Sequence, residues 1–439
     1  MRKILMLAAA VVMVCCLGAP ASADEVAELK DEVAALKEMV NRLEQRLSAE
    51  CAERMAAEEA VTGKVAEVEE KVAEVEDGYR EAGKHITYME GRVPLLQEGA
   101  LTMSAGMTVV GQGSAGADFN TGKDSVDGSF SVDVELSRSV FDTDVAFVHL
   151  EGGQGDGLMD ELPSFYGVNA DATGGDARIE IADAYYEHGL MDGKMKVAFG
   201  KLDMTSWFDG NEAANDERFQ FLSGGFVNNA AVEFPDNAAG LRWGYDINDL
   251  FGMQLGAQAG DSDWEDIIDN MFGIAQLDVR PKFGEMQGNY RMYGWVNGVN
   301  HTSFSGPVDE TASGWGVGAS LDQQVAENVT LFSRLGYQDR DVYPFEFAWS
   351  LGGSVGGGIW GRADDSFGLG WGMAHLSTGY KDSGAFAEMS DEGHLEAYYR
   401  LSVNKFLDIT PDVQVITNPE GDGGFGSAVI FGVRAQATF

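Results

Sequence analysis

Two hydrophobic periods divide the chain. Between residues 24 and 93, apolar side chains recur at alternating steps of three and four: Val26, Leu29, Val33, Leu36, Val40, Leu43 and Leu47. Charged residues fill the positions between them, which is the heptad seam of a self-associating coiled coil rather than of a lone amphipathic helix. A second run holds Val65, Val68, Val72, Val75, Tyr79, Ala82, Ile86, Met89 and Val93. Projected back, it places Cys51 on the seam four residues after Leu47, a stutter. Two or three strands are both compatible with this seam. Pro94 ends the helix.

From about Leu101 the period changes to two, the signature of strands with one apolar and one polar face. Clear segments are Ser129–Arg138, Lys194–Lys201, Leu241–Ile247, Tyr290–Asn297, Thr330–Tyr337, Leu395–Asn404 and Val413–Thr417. Stretches rich in Gly, Asn and Asp, such as Gly152–Gly157 and Asp171–Gly175, separate them. The count comes to roughly 16 strands. Gly210–Asn229 reads as a long loop that could fold into a lumen. The last run puts Phe431, Val433, Ala435, Ala437 and Phe439 on one side, with Gly432, Arg434, Gln436 and Thr438 on the other.

The first 23 residues have the form of a secretory signal. Arg2 and Lys3 precede the apolar Ile4–Leu17, and Ala21-Ser22-Ala23 offers a small-residue cleavage site. Lipid attachment at Cys15 or Cys16 is the alternative, disfavoured by the large residue before each. No later stretch reaches the ~18 apolar residues of a membrane helix. An exported chain can still cross a membrane as a closed barrel, whose backbone groups are satisfied between strands. The expected organisation is therefore a signal peptide (1–23), a periplasmic coiled coil (24–93) and an all-β transmembrane barrel of about 16 antiparallel strands (95–439).

Composition narrows the function. With the signal removed, 28 bases face 71 acids, a net charge of −43. That excludes nucleic-acid binding, which needs a basic footprint. The acidity suits solvated loops and a solvated helix, or a pore that disfavours anions. The 57 glycines fit a barrel with many turns. Only Cys51 survives processing, so the chain cannot form an internal disulfide; the thiol is free or bridges two chains.

Charged residues facing lipid cost about 2–4 kcal/mol at the midplane, so each charge in a strand fixes its phase. Arg291 must face inward and carries Tyr293, Trp295 and Asn297 with it. Leu395, Ala397, Tyr399, Leu401 and Val403 face lipid, which leaves Glu396, Tyr398, Arg400 and Ser402 inside. Arg242 and Asp246 point inward opposite Leu241, Trp243 and Tyr245. The same reasoning places Asp133, Glu135, Lys194, Lys196, Arg334, Gln414 and Arg434 in the interior. Arg beside carboxylate suits sugar hydroxyls, which both donate and accept, while Trp and Tyr suit sugar C–H faces. The bland reading of each residue is the polar interior of any water-filled barrel. A phosphate pore would want clustered lysines, and this region has few.

Other motifs carry little. Gly111-Gln112-Gly113-Ser114-Ala115-Gly116 matches G-x-G-x-x-G, but Ala117-Asp118-Phe119-Asn120 follows instead of a helix, so it reads as strand and turn. The acidic run Asp261–Asp266 lacks the glycine and distal Glu of a calcium loop. The six histidines show no metal-ligand spacing, and no Ser sits in G-x-S-x-G. No cofactor, metal or enzyme activity is expected, a barrel hydrolase being the remaining enzymatic alternative.

The terminal alternation resembles the closing strand of bacterial outer-membrane barrels, whose last aromatic, here Phe439, is read by the barrel-assembly machinery. A more specific resemblance covers roughly 95–439. Glu396-Ala397-Tyr398, Thr410-Pro411-Asp412-Val413-Gln414, Asn418-Pro419-Glu420-Gly421, Gly432-Val433-Arg434 and Phe439 occur in that order. Upstream stand Tyr186-Glu187, Gly200-Lys201-Leu202-Asp203, Phe208-Asp209-Gly210-Asn211, Ala214-Asn215-Asp216, Phe221-Leu222, Phe226, Asn228-Asn229 and Pro235. Both blocks are similar to the carbohydrate-selective porins of the OprB type. The resemblance implies a 16-stranded barrel in the outer membrane of a Gram-negative bacterium, passing monosaccharides and similar small polar solutes by diffusion. A homotrimer is expected. The coiled coil lies outside the family pattern, and a structural anchor tethering the membrane to the cell wall is the alternative it raises.

Overall fold

The computed structural model describes residues 30, 34, 37, 38, 41 and 42, then 101–115, 125–141, 143–174, 177–304 and 311–439. The chain divides into two compact units, Met1–Pro94 and Leu95–Phe439. In the first, Lys30, Ala34, Lys37, Glu38, Asn41 and Arg42 are helical and exposed, and Arg42 pairs with Glu38 one turn away. None of these six is a seam position. The signal peptide, the seam and Cys51 lie outside the described residues.

The second unit is a closed antiparallel barrel. Its wall strands are β1 (Thr102–Ala115), β2 (Val126–Phe141), β3 (Asp144–Gln154), β4 (Arg178–Leu190), β5 (Met195–Leu202), β6 (Ala238–Asp246), β7 (Phe251–Ala259) and β8 (Met271–Val279). After the two-residue β9 (Lys282–Phe283) come β10 (Met286–Thr302), β11 (Thr311–Ala326), β12 (Val329–Gln338), β13 (Phe345–Gly356), β14 (Ser366–Leu376), β15 (Glu392–Asn404), β16 (Leu407–Thr417) and β17 (Ser427–Thr438). Each wall strand pairs with its neighbour in sequence, β8 pairs with β10, and β17 returns to β1 from Gly106↔Thr438 to Ala115↔Val429. Setting aside β9, which only extends the start of β10, sixteen strands close the ring with no free edge. Among the described residues no helix is long and apolar enough to cross a membrane; a closed barrel is the architecture that crosses with strands.

The alternation read from the sequence is the lipid face. Leu331 and Leu335 of β12, Leu369 and Trp371 of β14, and Phe431 and Val433 of β17 are exposed, while Phe332, Arg334, Gly370 and Gly432 on the alternate positions between them are buried inward. Several strand limits differ from expectation. Gly152 and Gly153 belong to β3 rather than to a separating turn, because the neighbouring backbone comes so close that a Cβ on Gly152 would sit 2.8 Å from the Arg178 carbonyl. Lys194 lies in the turn before β5, where Met191 and Asp192 adopt φ of 54° and 56°. The strand expected to reach Ile247 stops at Asp246. Connections at one end are short (142–143, 191–194, 247–250, 405–406), and at the other several are long (155–177, 203–237, 260–270, 377–391). In outer-membrane barrels the short turns are periplasmic and the long loops extracellular.

Candidate functional site: the lumen and its inserted loop

The core of this unit is inside the barrel. Segment 203–237, between β5 and β6, folds down into the lumen instead of standing above it. Its sequence explains why. Phe208, Phe221 and Phe226 cannot stay in water at low cost, and all three are buried. Phe221 and Phe226 pack with Tyr166, Phe332 and Tyr398; Phe208 packs with Met204, Phe272 and Trp295. The wall makes room with inward-facing glycines. A Cβ on Gly368 would meet the Tyr398 ring at 2.1 Å, and one on Gly318 would meet the Tyr293 ring at 2.4 Å.

Polar groups then fix the segment in place. Asp209 is fully buried and forms an ion pair with Arg334, itself only 1% exposed, at 3.0 Å. Asp209 also accepts from the Tyr293 hydroxyl and the Asn229 amide, both at 2.6 Å. Arg334 donates further to the carbonyls of Phe226, Val227 and Asp209, so its guanidinium is satisfied by loop backbone. Across the barrel, Glu396 accepts from the Leu222 and Ser223 amides, and Arg434 donates to the carbonyls of Glu217 and Gln220. Trp295 Nε1 donates to Ala231 O at 3.2 Å, and Asn297 Nδ2 to Glu233 at 2.8 Å.

Residues 155–174 of a second connection also pack inward. Leu158, Leu162 and Val168 bury against Ile416, Ala428 and Ile430. Glu392 accepts from Ser164 and from the amides of Phe165 and Tyr166. Gln414 donates to Val168 O at 3.0 Å.

These contacts divide the sequence-predicted interior residues into two groups. Tyr293, Trp295, Asn297, Arg334, Glu396, Tyr398, Gln414 and Arg434 all point inward, but they are buried beneath the inserted segments and meet chain rather than open solvent. Asp133, Glu135, Lys194, Lys196, Arg242 and Asp246 line cavities on the opposite side. Arg291 pairs with Asp322 at 2.7 Å beside Gly210, and Arg400 lies over the Phe219 ring near the short-turn end.

The lumen stays open along β2–β8, where space remains between the wall and the inserted segment. One cavity of about 400 Å³ sits at the short-turn end. There Glu187 joins Lys196 at 2.9 Å and Arg242 at 3.2 Å, and Arg280 joins Asp246 at 2.7 Å. The second, of about 330 Å³, sits at mid-barrel between the wall and the loop. His149 bridges Asp133 (2.9 Å) and Asp183 (3.7 Å), and Arg218 of the loop approaches Glu135 at 3.7 Å. Tyr185 borders both cavities. Alternation did not single out His149, Asp183 or Arg218, and Glu187 and Asp209 stood only among the residues of the family resemblance, with no lumen role. Asp183, Tyr185 and Glu187 share one phase of β4 and were accessible to the same alternation argument. The cluster of phenylalanines in 203–237 was the signal that this loop is buried.

A closed sixteen-stranded barrel with short turns at one end and a lumen narrowed by its own loop defines an outer-membrane channel of the porin class. Residues 121–439 match the family described as carbohydrate-selective porin, OprB family, and the chain belongs to it. Among solved structures, the chain is similar to the high-pH structure of Pseudomonas putida OprB, with 16% identity and a TM-score of 0.68 over 80% of this chain and 97% of that one. The low-pH structure of the same protein gives 15% identity and a TM-score of 0.51 over 80% and 96%. At these identities the likeness concerns the fold. An uncharacterised protein of Aquifex aeolicus (strain VF5) is 30% identical over 231 residues, which is 52% of this chain and 61% of the relative. The chain thus spans under two thirds of that relative's length.

Proposed function

We propose that this chain is a passive porin that lets monosaccharides and similar small polar solutes diffuse across the outer membrane. The observation carrying this reading is the pair of cavities, about 400 and 330 Å³, left along β2–β8 by the inward loop. Their walls mix donors and acceptors (Lys196, Arg242, Gln254, Asp183, Glu187) with the rings of Tyr185 and Trp207, which suits hydroxyls and C–H faces together. Contacts of this kind are weak and repeated, as conduction requires. The solute gradient is the only energy source.

Several finer features belong to the same proposal. The first 23 residues direct export, and residues 24–93 form a periplasmic coiled coil. Coil and barrel together hold a homotrimer, with the coil free to contact the cell wall. Phe439 presents its ring to the barrel-assembly machinery: its backbone pairs with Ala105 at the seam, while its side chain is 68% exposed. The test is single-channel conductance with glucose titration. Discrete current steps that glucose reduces in a saturable way support the reading, and steps indifferent to glucose overturn its sugar component.

A further inference from the structure

The two cavities carry different charge. At the short-turn end, the four bases Lys194, Lys196, Arg242 and Arg280 slightly outnumber the three acids Glu187, Asp246 and Asp278. At mid-barrel, the wall acids Asp133, Glu135, Glu151 and Asp183 and the loop acids Asp203, Asp216 and Glu217 line the cavity with His149 and Arg218 as the bases among its described lining residues. The pairings there do not cancel this excess. One imidazole is shared between two carboxylates, and the single guanidinium stands 3.7 Å from Glu135 and 3.8 Å from Asp216.

A second feature is independent of net charge. Asp183 is only 7% exposed, yet its Oδ1 finds no hydrogen-bond partner among the described residues. A buried acceptor left unmade costs free energy, so it is a place where a donor from a passing solute is rewarded. On the loop side of the same cavity, Asn228 Nδ2 is likewise a buried donor without a hydrogen-bond partner among the described residues, and Arg218 Nε stands 3.8 Å from Asp216 without a hydrogen bond. The Phe147 and Tyr185 rings, 5.0 Å apart, give that cavity an apolar face. An acceptor with negative surroundings, facing donors and an aromatic wall, matches a solute that carries both hydroxyls and a positive charge.

We propose that the mid-barrel neck is a cation filter that favours hydroxylated ammonium solutes, amino sugars being the natural class, over neutral and anionic counterparts. The inference rests on the porin reading above and adds a preferred solute class at the same passage. A cleft of one charge sign raises the local concentration of its counter-ions by a factor of 10 or more, so a cation-to-anion permeability ratio of about 10 is expected.

The test uses the full chain in planar bilayers. The reversal potential in a potassium chloride gradient gives the ion preference. Titration of the current with glucosamine at about pH 7, below the ordinary α-amino pKa, and separately with glucose, gives the two affinities. The expected result is a cation preference together with several-fold tighter glucosamine binding. Asp183→Asn and Glu135→Gln should each reduce both effects, while Asp249→Asn, the same charge change on an exposed turn, should reduce neither. Either lumen variant suffices if the other fails to assemble. Channels that show no cation preference, that bind both sugars equally, or that ignore both substitutions overturn this inference and leave the porin reading standing. A protein that forms no channels overturns both.

Discussion

At the residue scale, the pleat made direction legible but not surroundings. A charge in a strand must point away from lipid, so Arg291 brings Tyr293, Trp295 and Asn297 inward with it. The same rule treats Arg334 and Lys196 alike, although one is sealed under the loop and the other reaches open lumen. That difference depends on where a loop more than 90 residues away in sequence comes to rest, which alternation does not encode. Asp209 is the residue that decides it. Asp209→Ala leaves Arg334 buried without its carboxylate, a loss of about 3–5 kcal/mol for a pair broken from one side. The expected outcome is an undocked segment 203–237, seen as higher single-channel conductance and new protease cleavage within it; unchanged conductance would contradict the docking role. In the short-turn connection 357–365, the Arg362 guanidinium, with help from the Tyr399 hydroxyl and the Ser402 amide, holds the Asp365 carboxyl down at about 2. Because that value lies below the ordinary carboxylate pKa of about 3.9, the contribution of Asp365 to stability is complete above about pH 4 and is lost as pH falls through about 2. Unfolding in detergent should show a constant stability gap between wild type and Asp365→Asn from pH 7 to about 4, closing toward pH 2.

At the scale of elements, strands were more legible than their ends. β10, β12 and β15 contain the alternating segments expected there, with limits extended by one to several residues. The misjudged boundaries lie at Gly152–Gly153, where glycines sit inside a strand because the neighbouring backbone comes close, at Lys194, which follows the left-handed turn Met191–Gly193, and at Ile247, one residue past the end of β6. The glycine-rich β14 alternates Gly368, Gly370 and Gly372 inward with Phe367, Leu369 and Trp371 outward, so its glycines serve packing space rather than turns. The lipid face of a strand has its own consequence. Leu335 on β12 is exposed outward between Trp349 and Ala319 of the flanking strands. Leu335→Arg should cost about 2–4 kcal/mol, depending on depth, when folding is followed by urea titration in lipid vesicles. A change under about 0.5 kcal/mol would place that position out of the membrane.

At the scale of the whole molecule, closure and obstruction are separate properties. Alternation and turn chemistry foretold a closed cylinder, since each is local. How much of that cylinder is open depends on two loops whose partners are spread over most of the wall, from β7 and β8 round to β17, β1 and β2. What remains is the pair of cavities along β2–β8, and the account's central claim is that small sugars traverse the barrel there. Liposome swelling tests this directly. Vesicles carrying the full chain should swell in isotonic glucose far faster than protein-free vesicles, and should not swell in a large polysaccharide. Swelling in glucose no faster than that of protein-free vesicles would contradict the claim.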